Sequence, residues 1–159
     1  MKLTELACQH HAWVGRNGWH NSTVLEMLGL IASELGEVAD ETFEAPLPPN
    51  FGQELADVML RVMNLAVATS VDLDVTVAAA RISWRSCTLH GFLAEMLVEL
   101  AGCMNAARQA SLGEEFRWKL GRFARRVLEL ARAEQVDLEV EIRRKMAINA
   151  TRGTRGRLQ

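Results

Sequence analysis

Tyrosine is absent from this chain, and its 159 residues include only three prolines and three cysteines. So few prolines, without a long polar tract, leave little room for a disordered linker. No apolar run approaches the roughly 20 residues that a membrane-spanning helix needs, so we expect no membrane partner. An odd number of cysteines without a Cys-x-x-Cys pair favours reduced thiols, which are typical of a cytoplasmic protein.

The chain also has no large excess of one charge, because it contains 18 basic and 20 acidic residues. This balance argues against a general polyanion binder, so we expect no nucleic acid polymer as a partner. The chain has no GxxxxGK[ST] motif, which excludes a P-loop nucleotide site. Its hydrophobic content of 49% is sufficient for the buried core of a single domain over residues 1–159.

Helix-forming residues dominate the chain, and no stretch alternates apolar and polar side chains as a strand would. The sequence therefore predicts an all-α helical bundle. The prolines between residues 46 and 49 break the pattern once, and asparagine, aspartate and glycine mark other ends. The predicted helices cover about residues 4–16, 21–44, 51–69, 72–89, 92–110, 114–134 and 137–151.

The two halves of the chain resemble each other when one is shifted by 65 residues without a gap. Roughly a quarter of the overlapping positions agree, which exceeds the chance agreement of unrelated helices. The sequence thus predicts repeats over about 22–91 and 87–156, related by a pseudo-two-fold axis. The matches include Val71-Asp72-Leu73 with Val136-Asp137-Leu138, Phe51 with Phe116, Leu55 with Leu120, and Arg61 with Arg126.

Acidic residues recur at helical spacing on two neighbouring segments of the first half. Glu34, Glu37 and Glu41 share one face of a helix, and Glu54 and Asp57 share a face of the next. The short connection makes these helices antiparallel neighbours, so we expect four of the acids to converge. Their mutual repulsion raises their pKa values, and an oxygen-binding cation such as Mg²⁺ or Mn²⁺ relieves it.

Acids at this spacing also occur on ordinary solvated helix faces, and either pair alone is more often of that kind. Here the neighbouring positions are mostly apolar, which favours carboxylates that face something other than bulk water. The apolar neighbours are Leu30, Ile31, Leu35, Leu55, Val58 and Met59.

These segments resemble a known family. The stretches LGLIASELGEVADE (28–41) and ELADVMLR (54–61) are similar to the MazG-like branch of the all-α nucleoside triphosphate pyrophosphohydrolases. The stretches HAW (11–13) and GW (18–19) match what precedes this motif in phage-type members, and KMAINATR (145–152) resembles the family's terminal motif. Family members often have a glutamate where this chain has Ser33, which leaves the number of metal ions open.

The resemblance implies that the chain hydrolyses a nucleoside or deoxynucleoside triphosphate to the monophosphate and pyrophosphate. It implies Mg²⁺ as the cofactor, with Mn²⁺ as an alternative, and leaves a homodimer of the fused chain open. The implied metal ligands are Glu34, Glu37, Glu54 and Asp57. Of these, we predict that Glu37, or else Glu34, takes the proton from the attacking water.

The predicted substrate contacts lie elsewhere in the chain. Lys145, Asn149 and Arg152 fall on one helical stripe, and two cations with an amide suit a polyphosphate. A basic last helical turn, stabilised by the helix dipole, is the alternative interpretation. By resemblance Asn64 contacts the sugar or base, whereas Arg61 beside it is either a contact or architectural. Trp19, with Trp13 and His20, either stacks on a base or packs in the core, and His10 and His11 are predicted to lie on the surface.

The repeat divides these roles between the halves. In the 65-residue shift Glu37 becomes Gly102, Glu54 becomes Lys119 and Asp57 becomes Arg122, so the second half lacks the metal site. In turn, the first half has no counterparts of Lys145, Asn149 and Arg152. We therefore predict one active site per chain, and we predict that Lys119 and Arg122 pair with Glu99 in place of a second metal ion.

Two other classes of function remain open from the sequence. A catalytically silent nucleotide-binding protein is consistent with the loss of one metal site and with Ser33. A helical interaction module is the third, and in such a protein removal of the acids stabilises the fold without changing what it binds.

Overall fold

The computed structural model describes residues 1–19, 23–83, 86, 88–109 and 112–151. Over these ranges every regular element is a helix, which confirms the predicted all-α fold class. The seven helices are α1 (Leu3–Arg16), α2 (Val24–Glu41), α3 (Phe51–Ala68), α4 (Leu73–Ala79), α5 (Leu89–Arg108), α6 (Glu114–Ala133) and α7 (Leu138–Thr151).

Short polar side chains fix where several helices begin. The Thr23 hydroxyl accepts a hydrogen bond from the Glu26 backbone, and the Glu26 carboxylate accepts one from the Thr23 backbone. Asp72 caps α4 in a similar way, by accepting a hydrogen bond from the backbone of Val75 at 3.0 Å.

The fourth helix is shorter than the sequence predicts. It ends at Ala79 rather than near residue 89, and His90 and Gly91 lie within α5. Thr88 accepts a hydrogen bond from the Gly91 backbone at 3.2 Å, so it starts a new helix where the prediction placed the end of the old one.

The helices pack as two hairpin-like pairs, and the helix that follows each pair in the chain packs against the other pair. α2 packs against α3, and α5 packs against α6, while contacts between α2 and α5 and between α3 and α6 join the pairs. α4, from the first half, lies on α6, and α7, from the second half, lies on α3, which also carries α1. The position of α7 brings side chains from the end of the chain to the helix that holds Glu54 and Asp57.

The local geometry recurs at the predicted shift of 65 residues. Ser70 and Gln135 have φ of +56° and +58°. α2 and α5 begin 65 positions apart, as do α4 and α7, and α3 and α6 end 65 positions apart. The pseudo-two-fold axis itself stays a prediction. An equivalent backbone hydrogen bond closes each turn, from Val71 N to Ala66 O at 2.7 Å and from Val136 N to Ala131 O at 2.8 Å.

The lengths and apolar contents of the described helices bear on whether any of them could cross a membrane. Among the described residues, no single helix has the length and apolar content to cross a bilayer. The helices α3 and α4 reach the required length and apolar content only when they are taken together, and the pair is bent by 111°. Most of α3 is buried in the bundle, where its Phe51, Leu55 and Met59 belong to the core.

Candidate metal centre

Three carboxylates meet between α2 and α3. Glu34 lies on α2, Glu54 and Asp57 lie on α3, and one oxygen from each falls within 4.8 Å of the others. All three side chains are half-buried, because Leu35 and Leu55 beside them pack into the core and draw the acids inward. The arrangement therefore concentrates negative charge at one partly desolvated point.

Two cationic side chains from the protein contact this cluster. The Arg61 guanidinium donates hydrogen bonds to Glu34 at 2.9 Å, and Lys145 on α7 donates one to Asp57. Lys145 is almost fully buried. Glu54 has no ion pair of its own among the described residues, although Lys145 lies near enough to favour its charged form.

Burial disfavours the charged forms of two of these acids. It raises the pKa of Glu34 above its ordinary value, against the opposing effect of the Arg61 hydrogen bond, and Asp57 and Glu37 raise it further. Burial also raises the pKa of Glu54, where Lys145 opposes and the neighbouring acids reinforce the shift. An additional positive charge at the cluster would relieve both groups.

The donor set fits a hard divalent cation. All three groups offer carboxylate oxygens, no nitrogen or sulfur ligand joins them among the described residues, and Mg²⁺ and Mn²⁺ prefer such oxygens. Glu37 lies one turn further along α2 and lines the same cavity, but it is not among the carboxylates that approach within 4.8 Å. Three of the four predicted ligands therefore cluster closely.

The cluster forms one side of a cavity of about 600 Å³. Nine of the predicted metal and substrate residues line this cavity, although they come from three helices and the turn after α1. Trp13, which the sequence also offered as a stacking residue, is not among the residues that line it. Arg152 and His20 lie outside the described residues. Those brought together are Trp19, Glu34, Glu37, Glu54, Asp57, Arg61, Asn64, Lys145 and Asn149.

His10 also lines the cavity, and the prediction that it lies on the surface is wrong. Its side chain is only 6% exposed. Burial lowers its pKa to about 4, and the positive charges of Arg61 and His11 act in the same direction. The periodicity of α1 contains this information, because Leu3, Leu6 and His10 fall on the same buried helix face.

Aromatic and amide groups form another part of the cavity wall. His11 on α1 is hydrogen-bonded through Nδ1 to the Asn64 side-chain oxygen on α3, at 2.7 Å. Trp13 packs edge-on against Trp19 with ring centroids 4.9 Å apart. The Trp19 indole Nε1 is buried without a hydrogen-bond partner among the described residues. The sequence pointed to Trp19 and Asn64 but not to the contact between His11 and Asn64.

The second half carries ion pairs where the first half has its acid cluster. Glu99 accepts hydrogen bonds from Arg122 and from Arg126, which confirms the predicted pairing of Arg122 with Glu99. The predicted pairing of Lys119 with Glu99 is wrong, because Lys119 contacts Glu115 one turn away at 3.2 Å. A pair four residues apart on one helix forms without any tertiary constraint.

The same shift relates two arginine contacts. Arg61 Nε donates to Glu34 at 2.9 Å, and Arg126 Nε donates to Glu99 at 3.3 Å, so both pairs span 27 positions. Arg61 is therefore part of a recurrent architectural contact as well as of the cavity wall. Because Arg122 replaces Asp57, the second half balances the charge of Glu99 with side chains alone.

Comparison with known protein families, with characterised proteins and with solved structures finds no match to this chain. The comparisons therefore leave the motif resemblance as a hypothesis. The cavity itself holds a cluster of acids, a buried lysine and hydrogen-bonding aromatic and amide groups, and this chemistry indicates what it can bind.

Proposed function

We propose that this chain hydrolyses a nucleoside or deoxynucleoside triphosphate between its α- and β-phosphates, releasing the monophosphate and pyrophosphate. The observation that carries the proposal is that one cavity holds both acidic side chains and side chains that can donate hydrogen bonds to phosphate. Carboxylates of α2 and α3 stand beside the Lys145 ammonium and the Asn149 amide of α7, which suit a cation and a polyphosphate respectively.

The cavity supplies groups for each part of the reaction. Glu34, Glu54 and Asp57 would hold Mg²⁺, or Mn²⁺, which supplies neutralisation of the charge on the triphosphate oxygens when bound. Lys145 and Asn149 donate hydrogen bonds to the phosphate chain. Arg61 holds Glu34 in place through its hydrogen bond at 2.9 Å.

Glu37 is the group best placed to accept a proton. It lines the cavity, is exposed, and stands apart from the three closely clustered acids, so it keeps a carboxylate oxygen for water. The water oxygen attacks the α-phosphorus while Glu37 takes its proton. The bond from the α-phosphorus to the bridging oxygen breaks, and pyrophosphate leaves with that oxygen.

The test is a panel of triphosphates incubated with the protein and Mg²⁺, with separate detection of pyrophosphate and orthophosphate. We expect pyrophosphate and the monophosphate, and we expect Glu54→Gln to lose this activity because the cluster loses a charged ligand. Glu114→Gln, at an exposed acid on α6, is the matched control and keeps the activity. Release of orthophosphate and a diphosphate, or equal activity in Glu54→Gln, contradicts the proposal.

A catalytically silent nucleotide-binding protein is the second candidate. The pairing of Lys145 with Asp57 favours it, because a protein cation already neutralises one of the three clustered acids. Calorimetric titration with triphosphates separates the two candidates. Binding that depends on Lys145 without pyrophosphate release in any metal ion favours the silent protein.

A further inference from the structure

The exposed side of α5 lacks the charged residues that a helix normally turns to solvent. From His90 to Asn105, a stretch that the structure describes throughout, no exposed residue is an aspartate, glutamate, lysine or arginine. The two acids of this stretch, Glu95 and Glu99, pair instead with arginines of α6. A helix that is apolar on both sides is normally covered on both sides. The exposed residues are His90, Ala94, Leu97, Val98, Ala101 and Asn105.

Two apolar side chains project from this side of α5. The contacts of α5 with α2 and α6 leave Leu97 55% exposed and Val98 71% exposed. Alanines lie one turn before and one turn after them on the same side, at positions 94 and 101. Exposed apolar side chains that form a continuous patch without charges mark an interaction surface, whereas single ones do not.

The neighbouring helix α2 continues the uncharged surface. Phe43, two residues after the end of α2, contacts the ring of His90 near the start of α5, with centroids 5.7 Å apart, so the two helices are antiparallel neighbours. A Cβ atom added at Gly29 or Gly36 would meet nothing within 4 Å, so this side of α2 is open. Its exposed uncharged residues are Leu25, Gly29, Ser33 and Gly36. These residues and the exposed ones of α5 from Ala94 to Ala101 are called the outer face.

The outer face is complementary in shape and charge to a second copy of itself. Leu97 and Val98 project from α5, whereas between Gly29 and Gly36 this side of α2 has no side chain larger than serine. A second copy turned by a two-fold axis brings its projecting residues over the low part of the first, and the reverse contact forms at the same time. Because the outer face carries no charge, no like charges meet when it pairs with itself, and a charged partner gains no ion pair from it.

We propose that two copies of this chain form a two-fold dimer through the outer face, with Leu97 and Val98 of each copy packed over Gly29 and Ser33 of the other. No residue of the outer face lines the cavity, so we expect pairing to leave both cavities open and to be independent of the proposed hydrolysis. The exposed acids of α2 lie beside the outer face, at positions typical of a polar rim, namely Glu26, Glu37 and Asp40.

The first test measures the mass of the intact chain by sedimentation equilibrium over a wide range of concentration. We expect a species of twice the 17.7 kDa chain mass. Val98→Glu sets one carboxylate from each copy in the covered centre, so the dissociation constant should rise by at least about a hundredfold. Val75→Glu, at a similarly exposed valine of α4, is the matched control and keeps the dimer.

Gly29→Leu tests the low part of the outer face. In the single chain the added side chain enters open space, so the fold is retained. In the dimer it occupies the place of Leu97 or Val98 of the other copy, and the dissociation constant should rise as it does for Val98→Glu. Circular dichroism and urea unfolding verify that both variants are folded. A dimer that persists in either folded variant overturns the assigned interface.

Other occupants of the outer face give different results. A wild-type chain that is monomeric in solution and floats with phosphatidylcholine vesicles assigns the face to a lipid surface. A wild-type chain that is monomeric and does not bind vesicles assigns it to a different protein, and both results overturn the dimer. Pyrophosphate release is measured separately, because its absence from a dimeric wild-type protein overturns the proposed activity and leaves the dimer.

Discussion

The Lys145 ammonium group is hydrogen-bonded to the Asp57 carboxylate, across 88 positions of sequence. One partner is a proposed ligand of a divalent cation, and the other is a proposed contact of the polyphosphate. With neither ligand bound, the two groups neutralise each other in a nearly buried setting. We expect a cation that binds at Asp57 to release Lys145 to the phosphate chain, which would link the two binding steps.

Replacement of Lys145 tests this exchange. We expect Lys145→Met to bind Mn²⁺ more tightly than the wild-type protein in the absence of nucleotide, because Asp57 loses its competing cation. The gain is about ten- to a hundredfold, because a hydrogen bond between charged groups contributes roughly 1.5–3 kcal/mol. The free Mn²⁺ signal in electron paramagnetic resonance measures the affinity.

The same variant binds a triphosphate more weakly, because the ligand loses a cationic partner. Lys119→Met is the matched control, since Lys119 pairs with Glu115 in the second half. An Mn²⁺ affinity that is unchanged or lower in Lys145→Met contradicts the exchange.

The pH dependence of stability tests the strain in the acid cluster. Burial raises the pKa of Glu54 in the folded protein, so the folded state binds this proton more tightly than the unfolded chain. The stabilisation that the protonated Glu54 side chain gives to the folded state is therefore fully present below the ordinary glutamate pKa of 4.5. It is lost as the pH rises through the raised pKa of the folded protein.

Accordingly, Glu54→Gln becomes progressively more stable than the wild-type protein as the pH rises from about 4 to 7 in the presence of a chelator. Urea unfolding at each pH measures the difference in free energy. Glu44→Gln, at an exposed acid outside the cluster, is the matched control. A difference for Glu54→Gln that shrinks with rising pH would show that the acid is not strained in the metal-free protein.

Arg126 is expected to be the most costly arginine to remove from the second half. Its side chain is 6% exposed and donates to both Glu95 and Glu99. Loss of one partner from a buried ionic network leaves the other charges uncompensated, so Arg126→Met should lower the free energy of unfolding by about 3 kcal/mol. Urea denaturation measures this loss.

The matched control is Arg143→Met, because Arg143 pairs with Glu139 at the surface and contributes under about 1 kcal/mol. If both variants lose equally little stability, the contacts of Arg126 with Glu95 and Glu99 have little structural role.

Gly121 marks a close approach of α6 to α4. A Cβ atom at this position would lie 2.5 Å from Thr76 Cβ and 2.9 Å from the Thr76 backbone. Because the backbone cannot yield as a side-chain end does, Gly121→Ala should lower the free energy of unfolding by about 1–3 kcal/mol. Thermal or urea unfolding measures the change.

Gly36→Ala is the opposite case on the exposed face of α2, where a Cβ atom would meet nothing within 4 Å. It should stabilise the protein by up to about 1 kcal/mol through helix propensity alone. Similar effects of the two substitutions would place α4 further from α6 than the structure has it.

Much of the local structure follows from the sequence. Thr23 and Asp72 are good cap residues before apolar periodic segments. The helix α4 begins directly after Asp72, and α2 begins at Val24, close to its predicted start near residue 21. The end of α4 was not predictable, because residues 80–83 contain neither glycine nor proline and their composition suits a helix. The burial of His10 was present in the periodicity of α1 but was outweighed by the polarity of the residue.

Some features of the candidate site likewise follow from the sequence, and others depend on tertiary packing. Spacing alone placed Glu34 on one helix face and Glu54 with Asp57 on another, and the short connection brought the two helices together. Whether Glu37 joins the cluster depends on how α2 is rotated against α3, and no spacing rule specifies that rotation. The contact of His11 with Asn64 joins positions 53 residues apart that share no motif.

The sequence by itself determined the helices, the face on which each acid lies and the 65-residue recurrence, because these depend on interactions between near neighbours in the chain. Only the tertiary structure decided that α4 packs on α6 and α7 packs on α3, and the position of α7 sets Lys145 against Asp57. The physical reason is that periodicity specifies which side of a helix is buried. The partner that covers that side is chosen by packing of the whole bundle.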